Sequence, residues 1–337
     1  MFSVMQTPFV SVIIPTYNRS KLLSLTLDSF LEQTYPVDCY EIIVSDNNST
    51  DDTADQVSEL INSHNSRIRY LFEKHQGVHY ARNSAAKIAR GDILYFTDDD
   101  MLADSNLLKN LVAIFNYDPF IAVVTGRILP RFEVQPPEWV ERYLINAYLS
   151  LTDRDRPEQL VVSLDDKMVY SCHQAILRDV FIKSGGFNPE NTAGIWIGDG
   201  ETGLNIKIRS MGYRFAYTAS SIIYHMIPKE RMTLSYLVRR VGNQGYCDSY
   251  TEYRSHRDRS LILSKMLLRS SMGAFKLLVT TLGLIMLGRE SWHFIPARLA
   301  YLHKRNIYDL KLLFDDKFRK LVEIDDWLNN DLPEMTF

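Results

Sequence analysis

Along the first hundred residues, apolar runs of strand length alternate with stretches whose apolar positions recur at helical spacing. Residues 9–17, FVSVIIPTY, form a continuous β-rich run, and 19–34 follow with Leu22, Leu25 or Leu27, and Phe30 at helical intervals. Residues 40–48, YEIIVSDNN, repeat the strand. Residues 49–61 repeat the helix, with Ser49 or Thr50 placed to cap it and Ala54, Val57, Leu60 and Ile61 along one face. A third pair spans 68–74 and 78–90, the helix closed by Gly91 at its C-cap, and 92–97 add a fourth strand. This alternation predicts an α/β fold with a largely parallel sheet covered by helices on both faces. In such sheets, ligands bind beyond the carboxyl ends of the strands. Three polar groups fall at those ends: PTYNR at 15–19, Asp46, and the run Asp98, Asp99, Asp100.

Adjacent carboxylates repel one another unless water or a cation screens them. Residues two apart in an extended segment point the same way, so Asp98 and Asp100 face a common cation while Asp99 turns elsewhere. Oxygen ligands of this kind suit Mg²⁺ or Mn²⁺, ions that commonly sit on a diphosphate rather than in an all-protein cage.

Composition narrows the partners. A chain of 337 residues, 46% hydrophobic, can bury a large core. Its 38 lysines and arginines against 41 acidic residues argue against nucleic-acid binding through overall basicity. Cys39, Cys172 and Cys247 are odd in number and far apart, which suggests neither a disulfide framework nor a zinc site and fits a reducing cytoplasm. The first residues do not read as a secretory signal.

The segments VSVIIPTYNR, IIVSDNNSTDDT, GVHYARNSA and FTDDD, in this order and spacing, resemble the family 2 glycosyltransferases of the GT-A type. The resemblance implies a Rossmann-like GT-A sheet, a nucleotide-diphosphate sugar donor with a UDP-sugar favoured, Mn²⁺ or Mg²⁺ on its diphosphate, and inversion at the anomeric carbon. It places Pro15, Tyr17 and Arg19 beside the nucleotide and Asp46 on its base. Arg82 would reach the donor phosphates or the aspartates, with Asp98 and Asp99 in the donor site. Asp98, Asp100 and His225 would hold the metal.

Residues 184–190, SGGFNPE, and 194–214, GIWIGDGETGLNIKIRSMGYR, resemble the family's acceptor loop and catalytic acidic motif. Aligned on GYR, the usual Glu-Asp pair falls on Gly200 and Glu201, so the expected aspartate is a glutamate and Asp199 stands two places earlier. Glu201, Leu204, Ile208 and Met211 recur at helical spacing, with Gly212 placed to end the helix and Asp199 at its N-cap position. The helix dipole stabilises a first-turn carboxylate as the anion, which favours Glu201 as the base over Asp199. Trp139 and Trp196 are candidates for stacking on an acceptor sugar. A nucleotidyltransferase would want a glycine-rich, lysine-bearing loop after the first strand, and none is seen. The departure from the Glu-Asp pair keeps open a sugar-nucleotide-binding module without catalysis.

After residue 230 the alternation gives way to helical patterns, dividing the chain into a catalytic domain, 1–230, and a helical region, 231–337. From Lys229 to Lys276, ten basic residues face four acidic ones, and the uncharged run LLVTTLGLIML follows at 277–287. A membrane span needs ~20 residues, so this run is either a buried core helix or an interfacial segment. Beside the basic stretch it suits peripheral docking on anionic lipid at the inner face of the membrane, as a lipid-linked glycan acceptor would require.

Overall fold

The first strand is apolar at consecutive positions because both of its faces are covered. The computed structural model describes residues 7–63, 67–143, 148–152, 160–162, 165, 169–192, 194–198, 200–287 and 294–329. Strand β1 (Val10–Thr16) sends Val12 and Ile14 into one core cluster and Ile13 into another. It is followed by α1 (Ser20–Leu31), β2 (Tyr40–Asp46), α2 (Thr53–Ser63), β3 (Ile68–Phe72), α3 (Val78–Ile88) and β4 (Ile93–Thr97). Then come β5 (Met101–Ala103), α4 (Leu107–Ile114), β6 (Ile121–Phe132), α5 (Glu138–Tyr143), β7 (Leu160–Val161), β8 (His173–Leu177) and α6 (Arg178–Lys183). The hairpin β9 (Asn191–Thr192) and β10 (Ile195–Trp196) leads to α7 (Glu201–Ser210) and the long β11 (Arg214–Ile227). Helices α8 (Leu234–His256), α9 (Ser260–Leu287), α10 (Phe294–Phe314) and α11 (Asp316–Val322) follow.

The main sheet has the order β3, β2, β1, β4, β8, β6, β11, β5, with β7 alongside β11. The first four strands are parallel, as are β6 and β11. Strand β8 is antiparallel to both of its neighbours, and β5 to β11. One face is covered by α1, α2 and α4 through Leu23, Leu27, Phe30, Val57 and Leu111, the other by α3, α6 and α7 through Ala85, Phe181, Leu204 and Ile208.

Several local expectations are corrected. In α1, Leu23, Thr26, Leu27 and Phe30 face inward, while Leu25 is exposed. Helix α2 is anchored not by Ser49 or Thr50 but by Asp51, whose Oδ1 accepts from the Thr53 backbone N–H at 3.1 Å and hydroxyl at 2.5 Å. Thr53 takes the inward place expected for Ala54, which is exposed. Gly91 is not a cap, because α3 ends in extended backbone at Ala89. A Cβ on Gly91 would lie 2.5 Å from the Ser11 backbone nitrogen, so close packing on β1 requires the glycine.

The C-terminal helices fold back onto the sheet. Gly245 lets α8 meet α10, since a Cβ there would fall 2.4 Å from the Tyr301 carbonyl oxygen. The Tyr308 hydroxyl donates to the Ile197 carbonyl at 2.6 Å, and the backbone N–H groups of Trp327 and Leu328 donate to that of Gly185. Helix α9 is different. Leu267, Leu268, Met272, Phe275, Leu278, Val279 and Leu282 are each between 52% and 69% exposed, so at these positions the helix is not core. Among the described residues, no helix is long and apolar enough to cross a membrane. Much of the basic excess is engaged within the fold. Arg254 and Arg257 pair with Asp325, Lys265 and Arg269 with Glu252, and Arg259 donates to the Leu313 carbonyl.

Candidate active site

A cleft of about 630 Å³ opens where the ends of β1 and β4 meet the residues before β8, the start of α7 and the first turns of α8. It is lined by Pro15, Thr16, Tyr17 and Arg19 from the first strand and its loop, and by Asp98, Asp99 and Asp100 after the fourth. Helix α3 contributes His79 and Arg82; Ser171, Glu190 and Glu201 stand across from them, and Arg231 and Arg240 close one side.

The three aspartates have three different settings. Asp99 turns into the fold, its Oδ2 accepting from the Thr16 hydroxyl at 2.8 Å and its Oδ1 from Arg19 at 3.0 Å. Burial pushes its carboxyl up, to about 6, against the pull of Arg19. Asp100 Oδ2 accepts from Arg231 at 2.7 Å and from Arg19 at 3.2 Å. Burial acts on Asp100 in the same upward direction, but its positively charged neighbours outweigh it and hold this carboxyl well below the ordinary range. Asp98 is the most open of the three and pairs with the buried guanidinium of Arg82.

Of the three expected metal ligands, the structure brings Asp100 and His225 together, while Asp98 turns to Arg82 and His225 does not line the cleft. His225 Nδ1 lies 2.8 Å from the Leu149 carbonyl oxygen, which can only accept, so that nitrogen carries the proton. Its Nε2 then faces Asp100 Oδ2 at 3.7 Å. A ring held through its far nitrogen and turned toward a carboxylate is the arrangement by which proteins orient a metal-binding histidine. In this structure the guanidinium of Arg231 spans the two groups, donating to His225 Nε2 and to Asp100.

Across the cleft, Arg82 connects the aspartates to the acidic motif. One of its amino groups binds Asp98 and the other donates to Ser171 Oγ at 2.8 Å; that hydroxyl donates in turn to Glu201 Oε2 at 2.9 Å. Glu201 is the first residue of α7, where the dipole favours the anion. Helix α7 ends as expected, with Gly212 at φ +86° just past it. Gly200, at φ +61° and without a side chain, occupies the N-cap. Asp199 lies outside the described residues. Cys172 also lines the cleft, but burial, then Asp98 and Glu201, push its thiol well above the ordinary range, so it is no nucleophile.

Residues 11–185 match the family profile described as glycosyl transferase family 2. The chain belongs to glycosyl transferase family 2. It is 34% identical over 220 residues to the O-antigen chain rhamnosyltransferase RfbN of Salmonella typhimurium, an alignment covering 64% of this chain and 66% of that protein. It is 26% identical over 245 residues to the glucosyl-dolichyl phosphate glucuronosyltransferase of Haloferax volcanii, covering 70% and 75% respectively. The mannosyltransferase PcManGT of Pyrobaculum calidifontis, solved with GDP-Man and Mn²⁺, superposes with a TM-score of 0.59 at 22% identity, over 92% of this chain and 88% of that one. The fold is thus that of GT-A glycosyltransferases, a curled, mostly parallel sheet with a helical C-terminal region.

Not every residue expected in the family 2 site lies in the cleft. Asp46 is buried beneath it. Its Oδ1 accepts from the Ser49 backbone N–H at 2.8 Å and its Oδ2 from the Tyr70 hydroxyl at 2.7 Å, while Asn47 takes a place on the cleft wall. Trp139 packs against the core and Trp196 stacks on Tyr246, with centroids 5.6 Å apart; neither lines the cleft. Among the lining residues not anticipated are His79, Ser171, Arg231 and Arg240. His79 stands one turn before Arg82, an interval that puts both on one face of α3. Ser171, Arg231 and Arg240 carry no local signal.

Proposed function

We propose that this protein transfers a sugar from a nucleoside diphosphate sugar to a hydroxyl of a glycan or lipid-linked glycan, with inversion at the anomeric carbon. The observation that carries the reading is the connected set Asp98, Arg82, Ser171 and Glu201 within one cleft at the carboxyl ends of the strands. Mn²⁺ or Mg²⁺ held by Asp98, Asp100 and His225 would supply positive charge to the leaving diphosphate. Arg19 and Arg231, already directed at Asp100, are placed to orient the phosphates. Pro15 and Tyr17 flank the nucleotide. Glu201 takes the proton of the attacking hydroxyl as its oxygen bonds to the anomeric carbon. The bond from that carbon to the diphosphate breaks, and its electron pair stays on the diphosphate oxygen.

A lipid-linked acceptor is supported by the relative named for a dolichyl phosphate substrate and by the exposed apolar face of α9. Peripheral contact with a bilayer through that face keeps the cleft near such an acceptor.

The test is incubation with Mn²⁺ or Mg²⁺ and a panel of nucleotide sugars differing in base and sugar. Metal-dependent release of free sugar and nucleoside diphosphate from at least one donor is expected. Tight binding without turnover would instead support a binding module, and cleavage inside the diphosphate a nucleotidyltransferase.

A further inference from the structure

Asp100 and His225 are held side by side by the backbone. Strand β5 pairs with β11 so that His225 stands opposite Met101, and the Met226 backbone N–H donates to the Asp100 carbonyl at 2.9 Å. Both side chains are buried. With its proton on Nδ1 and directed at the Leu149 carbonyl, His225 turns a lone pair inward, 3.7 Å from Asp100 Oδ2. A buried lone pair facing a buried carboxylate oxygen has no donor of its own, so a third group must bring donors and positive charge.

Here that group is Arg231. One of its amino groups donates to His225 Nε2 at 2.5 Å and the other to Asp100 Oδ2 at 2.7 Å, so the guanidinium fork spans the two atoms that would converge on a divalent cation. Arg19 is no equivalent: it reaches Asp100 at 3.2 Å but shares itself with Asp99 at 3.0 Å, and no bond joins it to His225. The two ligands sit on paired strands, whereas Arg231 comes from the turn Lys229–Met232 between β11 and α8. A second cavity of about 400 Å³ adjoins the cleft there; Arg231 lines both, and His225 lines the second. Rotation of the Arg231 side chain alone therefore frees the ligands, with the buried Met232 still anchoring the turn.

We infer that Arg231 is an exchangeable counter-ion, which fills the cation position between Asp100 and His225, yields it to Mn²⁺ or Mg²⁺, and then pairs with the diphosphate of the donor. This rests on the transferase reading above. A cation arriving alone would leave the guanidinium without its partners, and a diphosphate arriving alone would meet an arginine already engaged. When both bind, every charge is paired, so each raises the affinity of the other.

Mn²⁺ binding by the nucleotide-free protein, followed by electron paramagnetic resonance, tests the exchange. Arg231→Gln removes the resident charge while Arg19 still pairs with Asp100, so the fold is expected to hold. Mn²⁺ alone should then bind about 10- to 100-fold more tightly than to the wild type, the worth of the charged hydrogen bond it no longer has to break. Whichever of UDP, GDP and dTDP binds best should, at saturating Mn²⁺, bind the variant about 10-fold more weakly. The opposite shifts are the signature, since loss of a merely structural arginine would weaken both. Arg239→Gln removes an exposed charge from the wall of the second cavity and should leave the affinity for Mn²⁺ alone within about twofold. Arg231→Lys keeps the charge without the fork; it should fall between wild type and glutamine, and it serves if the latter melts early. An affinity for Mn²⁺ alone that is unchanged or lowered in Arg231→Gln overturns the inference, as does an equal gain in Arg239→Gln. Sugar transfer that persists in EDTA overturns it too and leaves the transferase reading standing. Absence of turnover with every nucleotide sugar removes that reading itself.

Discussion

Arg82 joins two carboxylates, Asp98 after β4 and, through Ser171, Glu201 at the start of α7. Buried against the Phe187 ring at 5.5 Å, it cannot drift, and through Ser171 it sets where Glu201 stands relative to Asp98. Glu201→Gln keeps the size and the hydrogen bond from Ser171 but cannot take a proton. Sugar transfer should fall by ~10² to 10⁴-fold, while nucleotide affinity measured by calorimetry stays near wild type because Pro15, Tyr17, Arg19 and the aspartates are untouched. A variant that transfers at the wild-type rate would move the base elsewhere. At this scale the sequence was readable where chemistry follows local order: the aspartate run, the arginine on α3 and the acidic start of α7 each belong to a short motif. Ser171 and Arg240 were silent because they depend on contacts between distant segments; Ser171 meets Arg82 across 89 positions of chain. Asp46 stands at a strand end as expected, its oxygens accepting from the Ser49 backbone N–H and the Tyr70 hydroxyl.

Among the elements, β8 is one that periodicity did not foresee. Alternating strands and helices account for β1 to β4 and their parallel order, because each unit buries its apolar residues against the next. Nothing local announces that a strand from beyond residue 170 enters between β4 and β6 and runs against both. Its insertion is secured by His173, fully buried, whose ring contacts Tyr95 of β4 and the Ser221 carbonyl of β11. The carbonyl can only accept, so Nε2 carries the proton and Nδ1 accepts from the Tyr95 hydroxyl at 2.7 Å. Burial lowers the His173 pKa from its ordinary 6.5 to about 4. The unfolded chain therefore binds this proton at a higher pH than the folded one. The contribution to stability is complete above about pH 6.5 and is lost as the pH falls toward about 4, by ~3 kcal/mol across that window. Urea unfolding at a series of pH values should show His173→Gln less stable at pH 7 yet with a shallower decline below pH 6.5. Parallel declines in the two proteins would show that another group carries the acid sensitivity.

In the whole molecule, the helices after β11 do two things. They wall the cleft, since Arg240 on α8 lines it and Tyr308 on α10 binds the carbonyl of Ile197, close to Gly200. They also leave an apolar face turned outward. On α9, Leu268, Met272, Phe275, Val279 and Leu282 follow spacings of four and three, and Leu263, Leu267 and Leu278 widen this stripe beyond the narrow seam of a coiled coil. Leu310 and Phe314 of α10 are exposed as well. A broad apolar surface suits the boundary of a bilayer better than a second helix. Because Arg254, Arg257, Arg269 and Lys265 are held by Asp325 and Glu252, attraction to anionic lipid contributes less than the basic composition suggests. The protein should therefore sediment with neutral phosphatidylcholine vesicles nearly as well as with anionic ones, and added salt should weaken the association little. Replacing Leu268, Met272 and Phe275 together by glutamate should release it. Sedimentation only with anionic vesicles, lost at high salt, would return the docking to the basic residues. A protein that ignores vesicles but runs as a dimer, and as a monomer once those three positions are charged, would show that a second copy of this chain covers α9.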